Sequence, residues 1–267
     1  MIQRLLIVAL LIVALLAASS AVPVAAAQQP DPALLASIRA MRIIDGHSHP
    51  PALVSPGQKD DEFDALPCDP LEPTNPTITG RPENPQFIRA WRALYGYRYT
   101  DTAPAHVREL LAAKERTKEQ QGDAYPAWVL DQLGIETELA NREAMGRGLV
   151  TPRFRWVPFE DALLFPLDNA RLAAVTPDRT FFFTREKQLL DRYLRNLNQP
   201  RLPRSLDDYL SQVVTPTLET QKRNGAVAVK FEAAYLRPLN FARADTAAAR
   251  NTYERYVAGG VPGDADY

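Results

Sequence analysis

Apolar residues recur along this chain with two different spacings, and the spacing changes from segment to segment. Arg42–Asp45, within MRIID, is a short β-branched run that turns polar at Gly46, and it reads as a first strand. From Pro50 to Pro85 come nine prolines and the acidic run KDDEFDALPCDPLE, a density that forbids regular structure. Helical spacing returns at Gln86–Tyr95, where Phe87, Trp91 and Leu94 share a face. It continues at Pro104–Gln121 with Val107, Leu110 and Leu111, and at Tyr125–Leu133, which ends on Gly134 as a left-handed cap. GIETELANR (134–142) alternates Ile135, Thr137 and Leu139 as a second strand, and RFRWVPFED (153–161) carries Phe154 and Trp156 as a third. Arg185–Leu197 and Ser205–Gly225 are helical. The latter opens on Ser205 and Asp208, a variant of the capping box, and should kink at Pro216. GAVAVKFEAAY (225–235) is nearly continuous in apolar residues, as a strand covered on both faces would be.

Strands alternating with helices predict a parallel α/β sheet. Neither Gly-x-Gly-x-x-Gly nor Gly-x-x-x-x-Gly-Lys follows any strand, which removes the main support for dinucleotide and P-loop readings. A TIM-type (β/α)8 barrel is the better architecture, because it gathers polar residues at the C-terminal ends of its strands. Asp45, His47, His49, Asn141, Glu160, Asp161, Lys230 and Glu232 all lie at or just past such ends. About four strands with covering helices amount to half of that barrel.

Residues 1–27 modify the picture at one end. One arginine, the apolar core Leu5–Ala18 and the closing Ala25-Ala26-Ala27 form a secretory signal, with cleavage expected after Ala27. The core is shorter than the ~20 residues that span a bilayer, so a periplasmic or secreted protein without stable membrane association is expected. Removing those 27 of the 267 residues leaves 240, enough for one large domain. Of the 31 Lys+Arg, only Arg4 leaves with the leader, so 30 face 32 Asp+Glu. That balance gives no reason to expect nucleic acid as a partner. The single Cys68 excludes an internal disulfide, so an ordinary core, helped by a metal, must hold the fold.

The chemistry concentrates in IIDGHSHP (43–50), which holds two of the three histidines. Alternate residues of a strand share a face, so Asp45, His47 and His49 point the same way if extended backbone runs through Gly46. Imidazoles two apart can bind one divalent ion, zinc before others. A polar turn that happens to contain histidine is the competing reading, and the position at the end of a first strand favours metal. His106 sits in the first turn of its helix, off the Leu110/Leu111 stripe, as a rim residue and not a third ligand. Arg237 in YLRPL could meet a substrate carboxylate bidentately, or pair with Glu232 or another acid. The acids of 60–72 read as a solvated loop that could also cover the site as a lid.

IIDGHSH resembles the opening strand of the amidohydrolase superfamily, and GAVAVKFEAAYLRPLNF (225–241) is similar to the fourth-strand region of a bacterial, amidohydrolase-related subgroup. The resemblance runs from about residue 40 onward. It implies a metal-dependent hydrolase in which His47 and His49 are metal ligands and metal-activated water attacks a carbonyl or similar centre of a small molecule. Lys230 stands where some members carry a carboxylated lysine bridging two metals, while others bind one metal without it. Members complete the site with further histidines after later strands and an aspartate after the eighth; here no histidine follows His106. The sequence therefore reads as the N-terminal half of such an enzyme. The rival reading is a non-catalytic exported fragment or binding module that retains a partial site. A chain of this kind should also leave sheet edges open to self-association, and alone be neither a closed barrel nor a hydrolase.

Overall fold

The computed structural model describes residues 31–63, 85–176, 180–236, 239, 243, 245–263 and 266. The expected secretory leader, Arg237 and the acids beyond Glu62 lie outside the described residues. The chain divides into two compact units, Met1–Met41 and Arg42–Tyr267. In the first, helix α1 (Pro32–Ala40) starts on Asp31, whose carboxylate accepts from the Ala33 amide at 2.7 Å, with proline in the first turn.

The second unit is α/β. Strand β1 (Ile43–Ser48) is followed by α2 (Pro85–Tyr95), α3 (Pro104–Gln121) and α4 (Tyr125–Leu133). Then come β2 (Ile135–Asn141) and β3 (Phe154–Val157). The three strands form one open sheet in the order β1-β2-β3, with both pairs parallel. The turn from α4 into β2 uses Gly134 at φ 71°, the left-handed cap expected of it. After β3 follow the short α5 (Asp161–Leu164) and α6 (Ala170–Val175), then the long α7 (Thr180–Asn196) and α8 (Leu206–Tyr209). A π-turn (Leu210–Val214), α9 (Thr215–Arg223), α10 (Ala233–Leu236) and α11 (Thr246–Val257) complete it.

One expectation needs correction. The fourth strand shrinks to a single parallel bridge, Phe159 with Lys230, closed by Lys230 N–H to Pro158 O (2.8 Å) and Glu160 N–H to Lys230 O (2.9 Å). One step further back, the parallel ladder would need an amide hydrogen from residue 158 to meet the Ala228 carbonyl, and proline has none. At Pro216 the helix expected over Ser205–Gly225 is interrupted: the preceding turn widens, so that the Thr215 amide reaches back to Leu210 O, five residues away.

The largest core lies on the helical side. Phe159, Leu163, Phe182, Leu189, Leu190, Tyr193, Tyr209, Val213 and Tyr253 are buried together. Tyr193 and Tyr209 direct their hydroxyls to the carbonyls of Phe159 and Leu163, both at 3.0 Å, which ties α7 and α8 to the segment leaving β3. Among the described residues no helix is long and apolar enough to cross a membrane.

Candidate metal centre

The end of β1 is not a regular strand. Asp45 pairs with Glu138 and Ser48 with Ala140, so three steps on β1 match two on β2. The surplus residue is a bulge at Gly46–His47. The Asp45 side chain closes it by accepting the His47 amide at 3.1 Å. Asp45 therefore shares a ladder face with Ser48, and the simple alternation that would have aligned it with the histidines does not hold.

The histidines nonetheless meet. His47 Nε2 and His49 Nε2 lie 3.3 Å apart, with the rings 5.4 Å between centroids and 25° from parallel. Phe159 flanks His49 at 5.9 Å. Lys230 reaches the same point from the far side of β3, with Nζ 3.0 Å from His47 Nε2. Three strand spacings, roughly 14 Å, separate β1 from the Lys230 segment. Two long side chains close that gap only by reaching toward each other over one face of the sheet.

This geometry can be compared with zinc. Two nitrogens held at ~2.0–2.1 Å by a tetrahedral ion stand ~3.3–3.4 Å apart, which matches the separation of the two Nε2 atoms. Lys230 as an ammonium donates to the His47 lone pair and competes with a metal there. As a neutral or carboxylated side chain it would join the ligands. Among the described residues no group of three His, Cys, Asp or Glu converges on one point, so the donors available are two imidazoles with Lys230 beside them.

Carboxylates lie on β2 and beyond β3. Ser48 Oγ donates to Glu138 Oε1 at 2.5 Å, and Asn141 Nδ2 donates to Ser48 O at 2.9 Å, which fixes the β1 terminus against β2. Burial raises the pKa of Glu138, the Asp45 charge adds to the rise and the Ser48 hydrogen bond opposes it. Beyond β3, Glu160, Asp161, Glu186 and Glu232 are all at most 2% exposed. Asp161 Oδ2 accepts the Glu232 amide at 2.7 Å. Burial pushes Glu160 up to about 8 and Asp161 up to about 6, where the charge of Lys230 pulls the other way. Glu186 is raised well above the ordinary range by burial, then by its acidic neighbours Asp161 and Glu232. Neither oxygen of Glu160 or Glu186 has a hydrogen-bond partner among the described residues.

Comparison with protein families, characterised proteins and solved structures gives no match to this chain. The side chains alone carry the functional reading.

Asn141 ends β2, and Glu160 and Asp161 follow β3, as the sequence places them; Glu232 follows the single bridge that replaces the expected fourth strand, while Glu138 and Glu186 escape the sequence reading. Glu186 leaves one trace, since it occupies a core position in the stripe Phe182, Phe183, Leu189, Leu190 and Tyr193 of α7. The described part of the acidic loop is also corrected. Asp61 is exposed and Glu62 half-exposed, but Asp60 is not solvated: it makes a two-pronged ion pair with Arg142, both contacts at 2.8 Å, and the Arg142 side chain is fully buried. Burial alone would raise Asp60, but Arg142 and the Ala52 amide hold it below the usual range. Arg192 grips Glu62 (2.7 Å) and Glu143 (2.8 Å), and Arg185 grips Glu143 and the Asp61 carbonyl. The end of β2 supplies Arg142 and Glu143, so the loop after β1 is strapped to the neighbouring strand. His106 lies apart from these contacts, stacked on Tyr99 at 3.5 Å with Nδ1 2.7 Å from Asp101.

Proposed function

We propose that this chain is exported and carries the first ligands of a metal-dependent hydrolase, His47 and His49, with Lys230 at their side. The carrying observation is the 3.3 Å approach of the two Nε2 atoms at the end of a parallel strand, with Lys230 Nζ 3.0 Å from one of them. Parallel strands with polar termini support membership of a (β/α)8-type barrel, of which three strands and one isolated bridge are present among the described residues. A bound divalent ion would supply Lewis acidity toward water and a substrate carbonyl. The chain's own contributions are more specific. His47 and His49 present their Nε2 nitrogens side by side, with the rings flanked by the bulge and by Phe159. Asp161 holds a proton below about pH 6, and its oxygen Oδ1 lacks a hydrogen-bond partner among the described residues. Lys230 can neutralise a developing negative charge beside His47. The absence of a third converging His, Cys, Asp or Glu among the described residues favours a second reading, a binding module with a partial site.

Cobalt(II) titration separates a histidine site from none. A visible absorption band typical of low-coordinate cobalt is expected, and it should vanish in the His47→Ala, His49→Ala double variant. A band that survives the double variant would overturn the assignment.

A further inference from the structure

We propose that two copies of this chain pair edge to edge about a two-fold axis, and that the second copy completes the metal centre. The inference rests on the histidine reading above. Both borders of the sheet are open: the outer edge of β1 has no strand partner among the described residues, and neither has the outer side of the segment 225–231, whose backbone bonds to Trp156, Pro158 and Glu160 all lie on its inner side. Such borders present unpaired backbone donors and acceptors to another chain.

The symmetry operator follows from strand direction. All pairings within the copy are parallel. A half-turn about an axis running along the strands keeps that direction and sets the β1 edge of each copy against the 225–231 edge of the other. Two identical seams result and the arrangement closes. A half-turn across the strands would instead pair like edges antiparallel and leave the other border of each copy open.

The side chains fit such seams. Ile43 and Ile44 on β1, and Val227, Val229 and Phe231 on the opposite border, are 42–68% exposed. Side chains of that size leave on the order of 100 Å² each in water, so the five bring roughly 500 Å² per copy. That is the larger part of the ~800 Å² per partner in a standard interface. The same two borders carry the metal-centre residues, His47 and His49 on β1 and Lys230 on the bridge segment. Each seam thus sets the Lys230 border of one copy beside the histidine border of the other. Two imidazoles per copy fall short of the three protein ligands that hold a catalytic zinc, and the second copy brings two more to the same end of the sheet.

Sedimentation velocity of the full chain, with zinc affinity measured by competition against a chromophoric chelator, tests this. Ile44→Glu and Val229→Lys change exposed side chains, and circular dichroism melts confirm that each variant folds. Each variant alone should sediment as a monomer with zinc affinity at least tenfold weaker. Their mixture restores one native seam and sets opposite charges on the other, so it should recover the dimer and tight binding. A monomer at every concentration, with or without zinc, would overturn the proposal, as would open-ended oligomers. A dimer binding zinc no better than the seam variants would overturn the shared centre. Zinc bound by a monomer and lost on replacing His47 and His49 would refute the pairing while leaving the histidine site intact.

Discussion

His47 and His49 were legible because a two-residue spacing at a strand end is a local pattern, and local patterns survive folding. Their approach to 3.3 Å, and the arrival of Lys230 from across the sheet, depend on a bulge and on strand order, which no window of sequence encodes. Buried acids are harder still to read. Glu186 carries the same charge as any surface glutamate, and only the elements packed over α7 turn it into an unpartnered carboxyl. That burial has a pH consequence. The folded chain keeps the Glu186 proton, while the unfolded chain releases it above about pH 4.3. Stability is therefore full below the unfolded value and falls as pH rises toward the raised folded one, with Glu160 acting in the same direction up to about pH 8. Glu186→Gln should raise the melting temperature above pH 7 and leave it nearly unchanged at pH 4. A gain that is equal at both values would mean the carboxyl is not held protonated.

At the scale of elements, α3 and α4 stand where the apolar periodicity put them, and Gly134 ends α4 at φ 71°. Gly134→Ala should cost about 1 kcal/mol, since a side chain there strains the left-handed backbone. Urea denaturation would read that loss. The fourth strand was misread because its apolar run looked self-sufficient, whereas a ladder needs donors from both sides and Pro158 supplies none. Asp60, at the start of the acidic loop, was misread for the opposite reason: its charge looked solvated, and Arg142, distant in sequence, binds it down, while Arg185 holds the Asp61 carbonyl and Arg192 the half-exposed Glu62. Arg142→Ala leaves Asp60 without its cation in a largely dry site and should cost about 3 kcal/mol. It should also expose residues 50–63 to limited proteolysis. Stability unchanged in urea would show that the strap contributes nothing.

At the scale of the molecule, a small parallel sheet with two open borders is set beside a larger helical core. The sequence pointed to the class of sheet and to its open edges, but not to the apolar weight of the helical side, where α5, α6 and α11 were not anticipated. If association completes the metal centre, hydrolysis of simple esters and lactones by the zinc-loaded chain should track the associated fraction and stay at metal-free background for monomer. Turnover equal in associated and monomeric protein would contradict that link. The central claim is more direct, that His47 and His49 hold a metal. X-ray absorption at the zinc edge, on protein dialysed after loading, measures it. The account predicts a nitrogen shell at ~2.0–2.1 Å with imidazole scattering, lost together with the zinc in the His47→Ala, His49→Ala variant. Zinc retained in that variant with an unchanged spectrum would contradict it.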